Sequence, residues 1–278
     1  MSTFFRNKVA VVTGAGGVLC GGFSHTLAGQ GAAVALLDLN EAAARQNADR
    51  IVAAGGRAKA YRANVLDKQN LEAARAEILS DFGPCDILVN GAGGNSPKAT
   101  TDKEYYEAGD GQADVKSFFD LDRAGVEFVF DLNFLGTLIP TQVFAGDMAE
   151  RSGGSILNIS SMNAFAPLTK IPAYSAAKAA VSNFTQWLAV HFSRSGLRVN
   201  ALAPGFFVTA QNEKLLFDEK GSPTPRTDKI LAATPMGRFG KPEELDGALL
   251  FLLDGDRAGF ITGVVLPVDG GFSAYSGV

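Results

Sequence analysis

Tyr174 and Lys178 stand four residues apart in AYSAAKAAVSNF, a run whose apolar pattern is helical. Residues at that spacing share one helix face, so a phenol and an ammonium group are held side by side. Thirteen residues before Tyr174, Ser161 follows the apolar run SILNI, which reads as a buried strand, so a strand end and a helix start can meet at one sheet edge. A phenol with a pKa of about 10 is a poor base at neutral pH. A neighbouring ammonium and the positive charge of an oxidised nicotinamide favour the phenolate and lower that value. Such a phenol can take the proton of a carbinol while hydride leaves its carbon, and a serine hydroxyl can hold the reacting oxygen. These residue types support interconversion of an alcohol and a ketone with a dinucleotide.

A seat for the dinucleotide lies near the beginning of the chain. VAVVTGAGGVLCGG places Gly14, Gly16 and Gly17 directly after a strand pattern and before a helix, with Val18 and Leu19 opening that helix. Backbone amides there can approach a pyrophosphate at a helix N-terminus. Asp38 closes the second strand in VALLDLN and is followed by Leu39. A carboxylate at that position accepts the adenine-ribose hydroxyls and repels a 2′-phosphate. No Arg or Lys adjoins Asp38 in the chain or sits inside the glycine loop, which favours NAD over NADP.

The elements that must position these groups alternate along the chain. Apolar runs at 9–12, 33–37, 86–89, 155–159, 197–202 and 264–267 predict buried strands, with a weaker strand at 57–63. Helical patterns fall near 21–30, 41–54, 67–82, 126–150, 173–195 and 242–253. Strands without strict alternation are buried on both faces, as in parallel sheets, and right-handed crossovers leave few topologies. The expectation is an α/β fold with one doubly wound Rossmann-type domain over 1–278, built on a seven-stranded parallel sheet flanked by helices. Two polar segments, 94–125 and 205–235, follow strand C-termini, where open α/β sheets bind ligands, and are expected to form the substrate side.

Composition excludes several other functions. Among 278 residues the formal net charge is −4 and the pI about 5.3, which favours neither a nucleic acid nor an anionic membrane as partner. Two cysteines and two histidines give no metal-ligand spacing, no disulfide framework and poor support for a Ser-His-Asp triad. The N-terminal residues run into a strand pattern without an apolar signal core, and no run of about 18 apolar residues predicts a membrane span. A cytoplasmic protein is the default expectation.

With these motifs in order, the chain resembles the short-chain dehydrogenase/reductase family over nearly its whole length. Thr13 and Gly14 match the start of the family's loop, and Asn64-Val65 its adenine-side contact. Asn90, Gly91, Ala92 and Gly93 match the Asn-Asn-Ala-Gly turn, with Gly91 in place of the second Asn. Asn133 in LNFLG matches a helix asparagine that, by the resemblance, holds a water linking Lys178 to solvent. Ser161, Tyr174 and Lys178 fall at the catalytic positions. Pro204, Gly205, Phe207, Val208 and Thr209, in PGFFVT, match the turn that closes over nicotinamide and pyrophosphate, and VDGG (268–271) a C-terminal signature. The chain departs from the family's loop of Thr-Gly, three residues, Gly, one residue, Gly. The last two glycine positions hold Val18 and Cys20, and Val takes positive φ poorly. The resemblance implies NAD as cofactor and a homo-oligomer, often a tetramer, in which the 126–150 and 173–195 helices pair across an axis, a role compatible with FTQWLAVHF (184–192).

The GAGGVLCGG loop, the insertion after NGAGGN and the run ISSMNAF are similar to the family's D-mannonate oxidoreductase (fructuronate reductase) branch. That implies reversible oxidation of the sugar acid D-mannonate to D-fructuronate. A sugar-acid carboxylate needs a cation or several N–H donors. Lys98 is the candidate cation, and Asn95 and Asn163 are candidates for hydroxyl contacts. Two alternatives stand beside this reading: a dehydrogenase of the same family for a polyol, steroid-like or 3-oxoacyl substrate, and a non-catalytic NAD-binding regulator.

Overall fold

The six apolar runs and the weaker 57–63 segment form one parallel sheet: β1 (Val9–Thr13), β2 (Ala33–Asp38), β3 (Arg57–Arg62), β4 (Ile87–Asn90), β5 (Ser155–Ile159), β6 (Arg198–Pro204) and β7 (Val265–Val268). They lie in the order β3-β2-β1-β4-β5-β6-β7, every pair parallel. The computed structural model describes residues 4–112, 114–209, 216–219 and 221–277. Residue 113 of the 94–125 segment, and 210–215 and 220 of the 205–235 segment, lie outside the described residues. The expected doubly wound architecture is the one observed. The weak pattern at 57–63 has a physical cause, since β3 is an edge strand whose residues are mostly exposed or half-buried.

Helices α1 (Val18–Gly29), α2 (Glu41–Ala53) and α3 (Lys68–Asp81) follow the first three strands. Asn40 caps α2 and Asp67 caps α3 through their side chains. Further along lie α4 (Arg123–Phe130), α5 (Gly136–Arg151), α6 (Pro172–His191), α7 (Pro225–Ala232), α8 (Asp246–Leu253) and the short α9 (Gly255–Ala258). One face of the sheet buries Phe23 and Leu27 of α1, Ile51 of α2 and Leu249 and Leu252 of α8. The other buries Leu71 and Ile78 of α3, Phe144 and Met148 of α5 and Leu188 of α6. Each such side chain contributes about 1.5–3 kcal/mol. That holds the strand ends rigid where the loops carrying the site emerge.

Two expectations change. The single helix expected over 126–150 is interrupted, because Asp131–Leu135 forms a π-helical turn between α4 and α5. Asn133 lies in it and donates from Nδ2 to the Val129 carbonyl at 2.7 Å, the acceptor of an ordinary α-helical bond. The composite helix Arg123–Arg151 is also long and apolar enough to cross a membrane, although no such span is visible as a run of apolar letters. Half of that window is buried within the chain, as befits a core helix. The polar 205–235 segment carries a helix of its own, since Thr224 caps α7 and Pro225 opens it.

Candidate active site

At the C-terminal edge of the sheet, where β1 and β4 diverge into opposite halves, a cleft of about 480 Å³ opens between the loops. This is the topological switch point at which open α/β sheets take ligands. Its floor begins with the turn after β1. Gly14 adopts φ of +68°, and a β-carbon there would lie 2.9 Å from the Ala92 nitrogen. Only glycine lets the two turns meet so closely. Gly17 caps α1 without a side chain, which leaves the first-turn amides of Val18 and Leu19 facing the cleft without a side-chain acceptor. Val18 opens the helix and is not among the positive-φ residues, so a valine fits where the family pattern has glycine.

Asp38 ends β2 at the same edge. Its two oxygens accept hydrogen bonds from the Gly16 amide (2.9 Å) and the Asn40 amide (2.8 Å), which fixes the carboxylate against the glycine loop. Leu39, Asn64 and Val65 continue the wall. Gly16 stands behind Asp38 and does not line the cleft. This set suits a dinucleotide: glycine amides for the pyrophosphate and a held carboxylate for ribose hydroxyls. One basic residue escaped the linear reading. Arg62 pairs with Asp38 in register across β2 and β3, and lines an adjoining groove with Arg45.

The chemical groups come from β5 and α6. Ser161 follows β5, and its hydroxyl accepts from the Asn163 amide at 3.3 Å, capping a short turn. Tyr174 lies in the first turn of α6, half-buried, with its ring packed on the small cluster of Ala99, Val129, Ala173 and Ala177. Burial raises the phenol above its ordinary pKa, and a hydrogen bond with Ser161 opposes that rise. Lys178, one turn on, is 4% exposed. Its Nζ donates to the Ile159 carbonyl at 2.8 Å and lies 5.7 Å from the centre of the Tyr174 ring. Burial lowers this lysine to about 8. Asn133 bridges the π turn to the turn after β4. Its Nδ2 donates to the Gly94 carbonyl (2.7 Å) and its Oδ1 accepts from the Gly94 amide (3.3 Å). A β-carbon on Gly93 would meet both Asn133 Oδ1 (2.7 Å) and Lys178 Nζ (3.2 Å), so the two side chains flank one point of the site. Pro204, Gly205, Phe207 and Thr209 close the far wall; Val208 is not part of it.

The structure therefore brings Ser161, Tyr174 and Lys178 together in one cleft with Asp38, Leu39, Asn64, Val65, Gly91 and Ala92. It does not bring Asn90 there. The Asn90 side chain points under the sheet and donates to Thr141 (3.0 Å) and Asn158 (2.9 Å), in a polar row continued by Thr185. Lys98 and Asn95 are exposed and outside the cleft. Lys98 sits 3.7 Å from Asp122, and Asn95 donates to Thr100 at 3.1 Å. A loop position after a strand gives no direction to its side chain, so the sequence does not say which way these two point. Asn163 is buried beside Ser161, and its Oδ1 has no hydrogen-bond partner among the described residues. Cys20, Gly93, Leu132, Ile159 and Phe206 line the cleft and were not among the expected contacts.

The 94–125 segment is tied down. Lys103 bonds the buried Asp110 at 2.7 Å, and Glu104 bonds Lys229 of α7 at 2.9 Å, linking the insertion to the 205–235 segment.

Comparison with known proteins agrees with this geometry. Residues 19–273 match a family model described as enoyl-(acyl carrier protein) reductase. An uncharacterised oxidoreductase of Haemophilus influenzae is 62% identical over 98% of this chain and 95% of its own. An uncharacterised oxidoreductase of Bacillus subtilis, UxuB, is 53% identical over 98% and 96%. A Haemophilus influenzae crystal structure with bound NAD, provisionally described as a D-mannonate oxidoreductase, superposes with a TM-score of 0.95 at 62% identity over 98% of this chain and 97% of that one.

Proposed function

The chain belongs to the short-chain dehydrogenase/reductase family of oxidoreductases acting on CH–OH groups, and we propose that it interconverts D-mannonate and D-fructuronate with NAD. The observation that carries the substrate is the 62% identity, across almost the full length of both chains, to the NAD-bound Haemophilus influenzae protein described as a D-mannonate oxidoreductase. NAD is supported independently by the Asp38 carboxylate held against the glycine loop.

When bound, the dinucleotide supplies a carbon that accepts or returns hydride. The protein's own groups do the rest. Asp38 takes the adenine-ribose hydroxyls, and the amides of Val18 and Leu19 face the pyrophosphate. Tyr174 Oη exchanges the proton of the substrate oxygen, accepting it in oxidation and donating it in reduction. Ser161 holds that oxygen by a hydrogen bond. Lys178, anchored on the Ile159 carbonyl near the Tyr174 ring, holds a positive charge that, together with a bound oxidised dinucleotide, would oppose the burial that keeps the phenol protonated. Asn133 clamps the Gly94 backbone and so fixes the wall next to Lys178. Asn163, with an unsatisfied buried oxygen beside Ser161, is the residue best suited to receive a further substrate hydroxyl.

The working protein is a cytoplasmic homo-oligomer, a tetramer. The aromatic ladder Phe134, Phe184, Trp187 and His191 supports this, with Trp187 57% and Val190 77% exposed on α6. Both cysteines are buried and unpaired, in keeping with a reducing compartment. A panel of sugar acids, polyols and acyl thioesters, followed by the absorbance of reduced cofactor, tests the substrate. Preferred turnover of a polyol or a 3-oxoacyl thioester would displace D-mannonate.

A further inference from the structure

Cys20 and Gly91 occupy two positions where the family pattern carries other residues, glycine at the first and asparagine at the second. In the structure they touch. A β-carbon built on Gly91 would fall inside the radius of the Cys20 sulfur; its next neighbours are the Thr13 carbonyl oxygen, a tight 3.1 Å away, and Ile159 Cγ1 at an ordinary 3.5 Å. Gly91 is not among the residues with positive φ, so its backbone does not require glycine. The sulfur is the atom that excludes a side chain outright, whereas the Thr13 carbonyl has only to give by a few tenths of an ångström. Conversely, Cys20 projects from the first turn of α1 into space that a side chain at 91 would otherwise fill. Each departure explains the other.

The contact lies at a junction that shapes the cleft. The amides of Gly91 and Ala92 both donate to Thr13 Oγ1, at 3.0 and 3.2 Å, and Ala92 lies against the Gly14 turn. Displacing residue 91 therefore moves the β4 turn against the phosphate loop. Burial pushes the Cys20 thiol up to about 12, so the group acts as neutral volume, not as a thiolate. We propose that Cys20 and Gly91 form an interlocked pair, in which the Cys20 sulfur takes the volume of a side chain at 91 and sets the spacing between phosphate loop and β4 turn on which dinucleotide affinity depends. Cys20 is thus a positioning residue. The proposal rests on the cleft being the dinucleotide site.

The test is a double-mutant cycle of Cys20→Ala, Gly91→Ala and the double variant, reading the Kd for NAD by calorimetry and the Tm of the unliganded proteins. Gly91→Ala alone should raise Kd at least about tenfold, or about 1.4 kcal/mol, and lower Tm. Cys20→Ala alone should do less. In the double variant the sulfur is gone, and Kd should return to within about threefold of wild type. Loss of folded protein alone would leave the Kd of the folded fraction unchanged, so a shifted and rescued Kd separates positioning from stability. If Gly91→Ala does not fold, a folded double variant that binds NAD supports the pair and an unfolded one overturns it. Wild-type binding with additive single effects, or a Gly91→Ala protein that binds as wild type, overturns the inference alone. A wild type that binds no NAD overturns the functional reading and this inference with it.

Discussion

Lys178 Nζ hangs between the Ile159 carbonyl, 2.8 Å away, and the Tyr174 ring, whose centre is 5.7 Å away. Burial moves the two groups in opposite directions, raising the phenol and lowering the amine to about 8. The pH dependence follows from those signs. Ketone reduction needs a protonated phenol and a charged Lys178. The phenol stays protonated well into the alkaline range, while the ammonium is lost above about 8. For reduction, kcat/KM should be level below that pH and fall above it, by up to about tenfold per pH unit. A profile still level at pH 10, measured at saturating reduced cofactor, would contradict this.

The same lysine should make the protein less stable than it could be. Its pKa in the folded chain lies below the 10.5 of an ordinary lysine. Below about 8 the folded state carries the full burden of burying a charge. Between about 8 and 10.5 the unfolded chain binds the extra proton, so stability rises with pH there. Lys178→Met should therefore abolish turnover yet raise Tm at neutral pH by a few degrees, and the gain should shrink as pH rises towards 10. Differential scanning calorimetry at several pH values checks it; a lower Tm at neutral pH would refute it.

Asp38 should decide which dinucleotide is used. Replacing it with Ser removes a charged acceptor worth about 1.5–3 kcal/mol, so KM for NAD should rise about 10- to 100-fold. Arg62, paired in register with residue 38 across the strands, then stands opposite a neutral residue. Activity with NADP should rise relative to NAD, as measured by the ratio of kcat/KM values for the two cofactors. An unchanged ratio would remove Asp38 from cofactor choice.

The exposed face of α6 should be an oligomer contact. Trp187→Glu places a charge in the stack of Phe184, Trp187 and His191 and should shift the protein from the proposed tetramer towards smaller species. Sedimentation velocity reads this directly, and an unchanged tetramer would move the contact elsewhere.

Much of the site was legible because its signals are short-range. Tyr174 and Lys178 are one helical turn apart, the glycine loop is a single strand–turn–helix, and Asp38 terminates a strand whose apolar run is unmistakable. What escaped depends on contacts between distant segments. Lys98 faces Asp122, and Asn90 turns to Thr141 and Asn158. Arg62 meets Asp38 only through strand pairing. The π turn carries an Asn133 amide group that serves both Val129 and Gly94, a contact no helical periodicity encodes. The Cys20–Gly91 contact was visible only as two separate departures from a pattern. The cap and proline that open α7 were present as letters, Thr224 and Pro225, within a stretch whose polarity read as loop.

The most direct measurement is D-mannonate oxidation by wild type and by Tyr174→Phe, with NAD and with calorimetric NAD affinity for both proteins. The wild type should reduce NAD. The variant should lose about a hundred- to ten-thousandfold in kcat while binding NAD within about threefold of wild type. A variant as active as the wild type would remove Tyr174 from proton exchange, and a wild type that reduces NAD with other alcohols but not with D-mannonate would contradict the proposed substrate.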